Sequence, residues 1–248
     1  MAVKDSSLGQ VIDYPTRYAP GILFPVPRAE ARRVLGLSEP LPFMGYDQWT
    51  AYECSWLAPN GIPRQAVISI EVPCDSPNII ESKSLKLYLN SLNGEKQTAG
   101  PQALLELISV DLSRVAGAPV GVTLVDQVEQ PLAVLSGVCL DEQDIEVSDY
   151  ELKSDLLVVK ADCITERAYT HLFRSLCPVT QQPDWASIIV DYSGSALCHA
   201  GLLKYLLSYR NHQGLNESCV EQILADIQSR SRRSELTVQA RFLRRGGL

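Results

Sequence analysis

The chain has 248 residues, with 22 basic and 29 acidic side chains, a net charge of -7, and 46% apolar against 21% charged residues. Those totals allow a sizeable core in one large domain or two small ones. They remove the overall basic footprint of a nucleic-acid binder, and no run of about 18 apolar residues marks a membrane-spanning helix.

The opening "MAVKDSSLGQVIDYP" lacks the apolar centre of a signal peptide, which points to the cytosol. Residues 1–45 are rich in proline and glycine and read as an extended arm with a short helix near 28–36. "QWTAYECSWL" and "QAVISIEVP" read as strands separated by the turn "NGIPR". "ESKSLKLYLNSLN" puts Leu85, Leu89 and Leu92 on one helical face. "PQALLELISVDLSRVAG" is a second amphipathic helix, opened by proline and closed by glycine. "APVGVTLVDQ" returns to strand, and "VLSGVCL" is expected to add an edge strand to this first half.

The acidic segment "LDEQDIEVSDYE" (140–151) reads as a connection. After it come two strands, "SDLLVVKADC" and "ASIIVDYSG". Two helices follow, "HAGLLKYLLSYRNH" and "NESCVEQILADIQSRSR", the latter aligning Val220, Ile223, Leu224 and Ile227. The alternating "ELTVQARFLRR" closes the chain as a strand. Both halves thus run strand, strand, helix, helix, strand, a repeat of pattern and not of letters. The expected class is α+β: two tandem units, each an antiparallel sheet with two helices on one face. The divisions fall at an arm (1–45), a first module (46–145) and a second (146–248).

Seven scattered cysteines, odd in number and without a CxxC pair, read as reduced thiols and mostly core filler. Cys177 in "SLCPVTQQPDW" stands apart. Pro178 fixes the backbone beside it, and the stretch lies in a connection between two strands, where functional residues gather. A turn brings Asp184 back towards the sulfur. A thiolate attacks an electrophilic carbon, and a carboxylic acid can protonate the far atom, such as a nitrile nitrogen. The plain alternatives are a buried thiol and a turn aspartate. A cysteine hydrolase wants an imidazole, and His171, His199 and His212 carry no supporting signature; metal-ligand spacing is missing too.

At "NIIESKSLKLYLNS", Glu81 reads either as a first-turn acid favoured by the helix dipole or as an acceptor for a base-like ring. Lys83 and Lys86 read as a solvated face, or Ser82 and Lys83 as phosphate contacts. Arg244 and Arg245, before two glycines, read as a frayed tail or as a phosphate holder. No GxGxxG or GxxxxGK string occurs, so a nicotinamide cofactor would need a cradle unlike the Rossmann one.

These segments together resemble 7-cyano-7-deazaguanine reductase, the nitrile reductase family of queuosine biosynthesis, in its long two-module form. "ESKSLKLYLNS" is similar to its hallmark motif and "SLCPVTQQPDW" to its catalytic segment; "GYDQWTAYECSWL", "LSYRNHQGLNESCVEQI" and "ARFLRRGG" also match. The resemblance implies two tunnelling-fold (T-fold) modules per chain, a homodimer in the cytoplasm, a small deazapurine nitrile as substrate, and no direct nucleic-acid or membrane partner. It implies Cys177 as the nucleophile forming a thioimide and Asp184 as proton donor. It assigns Ile80, Glu81, Ser82, Asn216 and Glu217 to the substrate, and Ser82, Lys83, Arg245 and Gly246 to NADPH, with no metal. Two hydrides would carry the nitrile to the aminomethyl group. The chain departs from the family in having Leu215 and Asn216 where phenylalanine and histidine are usual, and in stopping at Leu248 where the family usually continues. These departures support the alternative of a weakened or inactive binder of a purine-like ligand.

Overall fold

The computed structural model describes residues 14–97, 99–125, 134–147, 150–230 and 233–248. The first 13 residues of the expected arm, the Asp126–Gln127 end of the expected strand, Ser148 and Asp149 of the connection, and the Ser231–Arg232 end of the last expected helix fall outside them. Two compact units are formed: residues 1–130 together with 244–248, and residues 131–243.

In the first unit, β1 (Pro25–Pro27) leads into α1 (Arg28–Val34), followed by β2 (Tyr46–Leu57), β3 (Pro63–Pro73) and β4 (Asn78–Ile80). Then come α2 (Ser82–Ser91), α3 (Gly100–Ala116) and β5 (Gly121–Val125). β2, β3 and β5 form an antiparallel sheet in that order, and the arm strand β1 pairs with β4. The core lies between this sheet and the helices, with Ile68, Ile70 and Val72 from β3 meeting Leu85, Leu89, Leu104, Ile108 and Leu112. α3 begins with Pro101 in its first turn and ends at Gly117, whose φ of 76° is the left-handed cap conformation. Its N–H donates to Ser113 O at 2.9 Å.

β2 is bulged between Ala51 and Cys54. There the Tyr52 N–H turns to Gly247 O at 2.9 Å, so residues 244–248 dock on this unit, and Leu248 packs on its core. The terminal basic segment is therefore no frayed tail: the Arg244 guanidinium pairs with Glu53 and lies 4.7 Å from the Tyr52 ring centre.

In the second unit, β6 (Val138–Cys139), β7 (Val159–Leu176), β8 (Pro183–Leu197) and β9 (Arg233–Phe242) form a sheet in that order. α4 (His199–Leu207), a short 3-10 turn (Ser208–Asn211) and α5 (Asn216–Arg230) intervene between β8 and β9. Ala186, Ile188, Val190 and Tyr192 of β8 meet Leu202, Leu206, Cys219, Ile223 and Ile227 of the helices.

Two sequence expectations are corrected here. "VLSGVCL" adds its short strand to the second sheet and not the first, pairing parallel with Ala168–Tyr169 of β7. Gly137 permits this approach: a Cβ there would lie 2.3 Å from Arg167 O. The strand expected to end at Cys163 starts at Val159 and runs on to Leu176. Bulges between Val159 and Cys163 and between Thr170 and Phe173 shift the register. The inward side chains therefore change from Ala168 and Thr170 to Phe173 and Ser175, and no single alternation marks the strand.

The repeat is also partly one of letters. "LKLYLNS" of α2 and "LLKYLLS" of α4 place Leu85, Tyr88, Leu89 and Ser91 opposite Leu202, Tyr205, Leu206 and Ser208. In each unit the tyrosine of the first helix donates 2.7 Å to an aspartate of the second, Tyr88 to Asp111 and Tyr205 to Asp226. Ser91 and Ser208 each donate to the carbonyl of that tyrosine at 2.6 Å. By this alignment, Cys198 at the start of α4 stands where Glu81 stands at the start of α2.

Candidate active site

Cys177 begins the six-residue connection between β7 and β8. The Cys177 N–H donates to Gln182 O at 2.9 Å, and the Gln181 N–H to Cys177 O at 3.0 Å, closing the loop on itself. Gln181 takes a left-handed φ of 57° to make the turn. The thiol side chain is partly exposed. Asp184 lies on β8 itself, with Ser175 of β7 as its direct cross-strand partner. Its parity is that of Ala186 and Ile188, so it lies on the helix-covered face at the end of the sheet.

The segment before α5 is tied to the same place. The Leu176 N–H donates to His212 O at 2.9 Å, and the Gly214 N–H to Leu176 O at 3.1 Å. This brings the start of α5, with Asn216 and Glu217, alongside the strand that leads into Cys177. Cys219, one turn into α5, is buried against this end of the sheet. Burial pushes its thiol up to about 12, and the carboxylates of Glu217 and Asp184 act in the same direction. One buried thiol thus feels both acids. Sequence reasoning missed Cys219 and Ser175, because their place depends on cross-strand register and on the packing of α5.

The three histidines divide. His171 lies on β7 with Nδ1 2.8 Å from Ser187 Oγ, and His199 pairs with Glu166 at 3.0 Å. His212 is half-buried with its ring edge-on to Tyr209, and burial lowers its pKa, favouring the neutral ring. Among the described residues, no group of three or more His, Cys, Asp or Glu side chains is gathered as a metal site would require.

In the first unit, Ile80 and Glu81 follow the β1–β4 pairing, with the Glu81 N–H donating to Phe24 O at 3.0 Å. Glu81 is only 3% exposed. Its carboxylate caps α2: Oε1 accepts from the Lys83 N–H at 2.7 Å and Oε2 from the Ser84 N–H at 2.8 Å. Ser82 Oγ lies 3.4 Å from Oε1. Both carboxylate oxygens are thereby oriented, and each keeps acceptor capacity for a ligand. Since the cap occupies these amides, a phosphate at this end would meet side chains, Ser82 and Lys83, and not the open helix terminus.

The docked C-terminal segment meets the same helix. Gly246 has φ of 56°, and a Cβ there would lie 3.3 Å from Lys86 Cδ. The first unit therefore gathers Ser82, Lys83, Lys86, Arg245 and Gly246 around α2. Cationic side chains, a hydroxyl and a close glycine suit the phosphates of a dinucleotide, so the residues present fit NADPH.

Fold and site define a tandem T-fold protein equipped for thiol chemistry. Residues 14–124 match the family model described as nitrile reductase, 7-cyano-7-deazaguanine-reductase N-term, and residues 183–248 match that of the QueF-like protein. Curated relatives from Bordetella pertussis, Bordetella parapertussis and Bordetella bronchiseptica, each named NADPH-dependent 7-cyano-7-deazaguanine reductase, are 46% identical over 252 residues, spanning 100% of this chain and 92% of theirs. The chain belongs to the 7-cyano-7-deazaguanine reductase family.

Proposed function

We propose that the chain reduces the nitrile of 7-cyano-7-deazaguanine to the aminomethyl group of 7-aminomethyl-7-deazaguanine with NADPH, in tRNA queuosine biosynthesis, as a cytoplasmic homodimer. The observation that carries this reading is a thiol at the start of one closed hairpin loop, Cys177, and a carboxyl just beyond its far end on β8, Asp184, with Glu217 acting on the same buried neighbour as Asp184.

The Cys177 sulfur attacks as thiolate: it adds to the nitrile carbon and one π bond of the nitrile opens. Asp184 passes its proton to the nitrogen and is left as carboxylate, giving a thioimide. Glu81, held by the α2 amides, accepts from the N–H groups of the pyrimidine ring. Ile80 offers an apolar contact and Ser82 a hydroxyl, while Asn216 and Glu217 bind the ring from the start of α5. Ser82, Lys83, Arg245 and Gly246 hold NADPH, which supplies hydride when bound. No imidazole is needed, because water is not the nucleophile.

Intact-mass measurement tests the first step. Excess nitrile is expected to add one substrate mass to the wild-type chain and none to Cys177→Ala. An unmodified wild type would overturn the assignment. Leu215 and Asn216 favour a second reading, a binder that takes the purine-like ligand without turnover. NADPH oxidation with the cyano base separates the two, and Asn216→His is expected to raise a weak rate if the asparagine limits it.

A further inference from the structure

Ser175 is fully buried, at 0% exposure, and its hydroxyl has no hydrogen-bond partner among the described residues. A buried hydroxyl in that state is costly, and natural folds keep few of them. Its surroundings are specific. Ser175 is the cross-strand partner of Asp184, so their Cβ atoms are about 5 Å apart and one rotamer change brings Oγ to the carboxyl. The Cys219 thiol is close enough for the Ser175 hydroxyl to oppose the rise in its pKa, yet it leaves that hydroxyl without a hydrogen bond in this state.

Resting on the reading of Asp184 as the proton donor, we infer that Ser175 is a positioning residue for that acid: its O–H is the donor that meets the Asp184 carboxylate left when the proton moves to the nitrile nitrogen. The step balances without further reactants. The Cys177 thiolate forms the sulfur–carbon bond, the carbon–nitrogen triple bond becomes double, the acid proton ends on nitrogen, and the thiolate's charge is thereby passed to Asp184. The new negative charge lies on Asp184, which acts on the same buried Cys219 thiol as the Glu217 carboxylate. A neighbouring hydrogen-bond donor stabilises that carboxylate. A hydroxyl with an unengaged proton does so by hydrogen bonding, and more strongly to the anion than to the acid.

The test is the rate of thioimide formation in Ser175→Ala, followed by stopped-flow absorbance or quenched mass measurement across pH. About a tenfold slowing is expected, the size of one hydrogen bond to a charged group. The alkaline fall in rate, where Asp184 loses its proton, should move to higher pH, because removing a donor to the anion favours the acid form. The thermal midpoint should stay the same or rise, since alanine removes an unsatisfied buried group. In an Asp184→Asn background, Ser175→Ala should have no further effect on the residual rate. A Ser175→Ala chain with wild-type rate and pH profile, or an equal slowing in both backgrounds, overturns the inference. If wild type itself forms no adduct, the underlying reading of Cys177 and Asp184 has failed instead.

Discussion

Glu81→Gln separates two jobs assigned to one carboxylate. The structure gives its oxygens to two α2 amides, at 2.7 Å from Lys83 N and 2.8 Å from Ser84 N. Glutamine keeps one acceptor and turns an NH2 towards the other backbone N–H. Losing a side-chain cap costs about 0.5–2 kcal/mol, and losing the charge at the positive end of the helix about 0.3–1 kcal/mol. The sum, roughly 1–3 kcal/mol, corresponds to a fall of about 3–10 °C in thermal midpoint for a chain of this size. Differential scanning fluorimetry reads that fall, and titration with the cyano base reads the affinity. Glu81→Asp is the control. Aspartate is itself a good cap, so its midpoint should stay near wild type while the shortened carboxylate loses ligand affinity. A Glu81→Gln midpoint equal to wild type would refute the capping argument, and a Glu81→Asp affinity equal to wild type would refute the ligand role.

Other outcomes follow from single observations. Replacing both Lys83 and Lys86 by alanine should raise the KM for NADPH about tenfold or more, with thioimide formation unchanged; steady-state and single-turnover kinetics decide it. Gly137→Ala should destabilise the second unit by more than ~2 kcal/mol, because φ is 115° and a Cβ would sit 2.3 Å from Arg167 O. Urea midpoints that match wild type would count against the close approach of β6. Stability should fall as pH rises from 10 towards 12, since Tyr18 is raised to about 12 by burial and by its bond to Asp111. The raised group favours the protonated fold, so its contribution is whole below the unfolded value near 10 and is lost through 12. Tyr18→Phe should blunt that part of the alkaline decline in urea midpoint.

Much of this architecture was legible in the residues. α3 announces itself through Pro101, its apolar face and Gly117, and the tandem strand–helix order emerged from periodicity alone. β7 was legible only to Cys163, because its bulges move the buried side chains from even to odd positions and erase the alternation a reader looks for. Nothing local in "VLSGVCL" names the strand it pairs with, so its sequence alone does not show that β6 belongs to the second sheet. The candidate site shows the same division. Cys177, Asp184 and Glu81 stand out in short, unusual strings. Ser175 and Cys219 do not, because a serine in a strand and a cysteine in a helix acquire meaning only from the 175–184 register and the packing of α5.

The docking of residues 244–248 on the bulge of β2 has a consequence for biosynthesis. The earlier-made half of the polypeptide waits for the later-made half before it is whole: the Tyr52 amide gains its acceptor only when Gly247 has been translated and has left the ribosome. A nascent chain shorter than that carries an unfilled notch in its first sheet, and the basic surface beside α2 is finished only once Arg245 and Gly246 have been made.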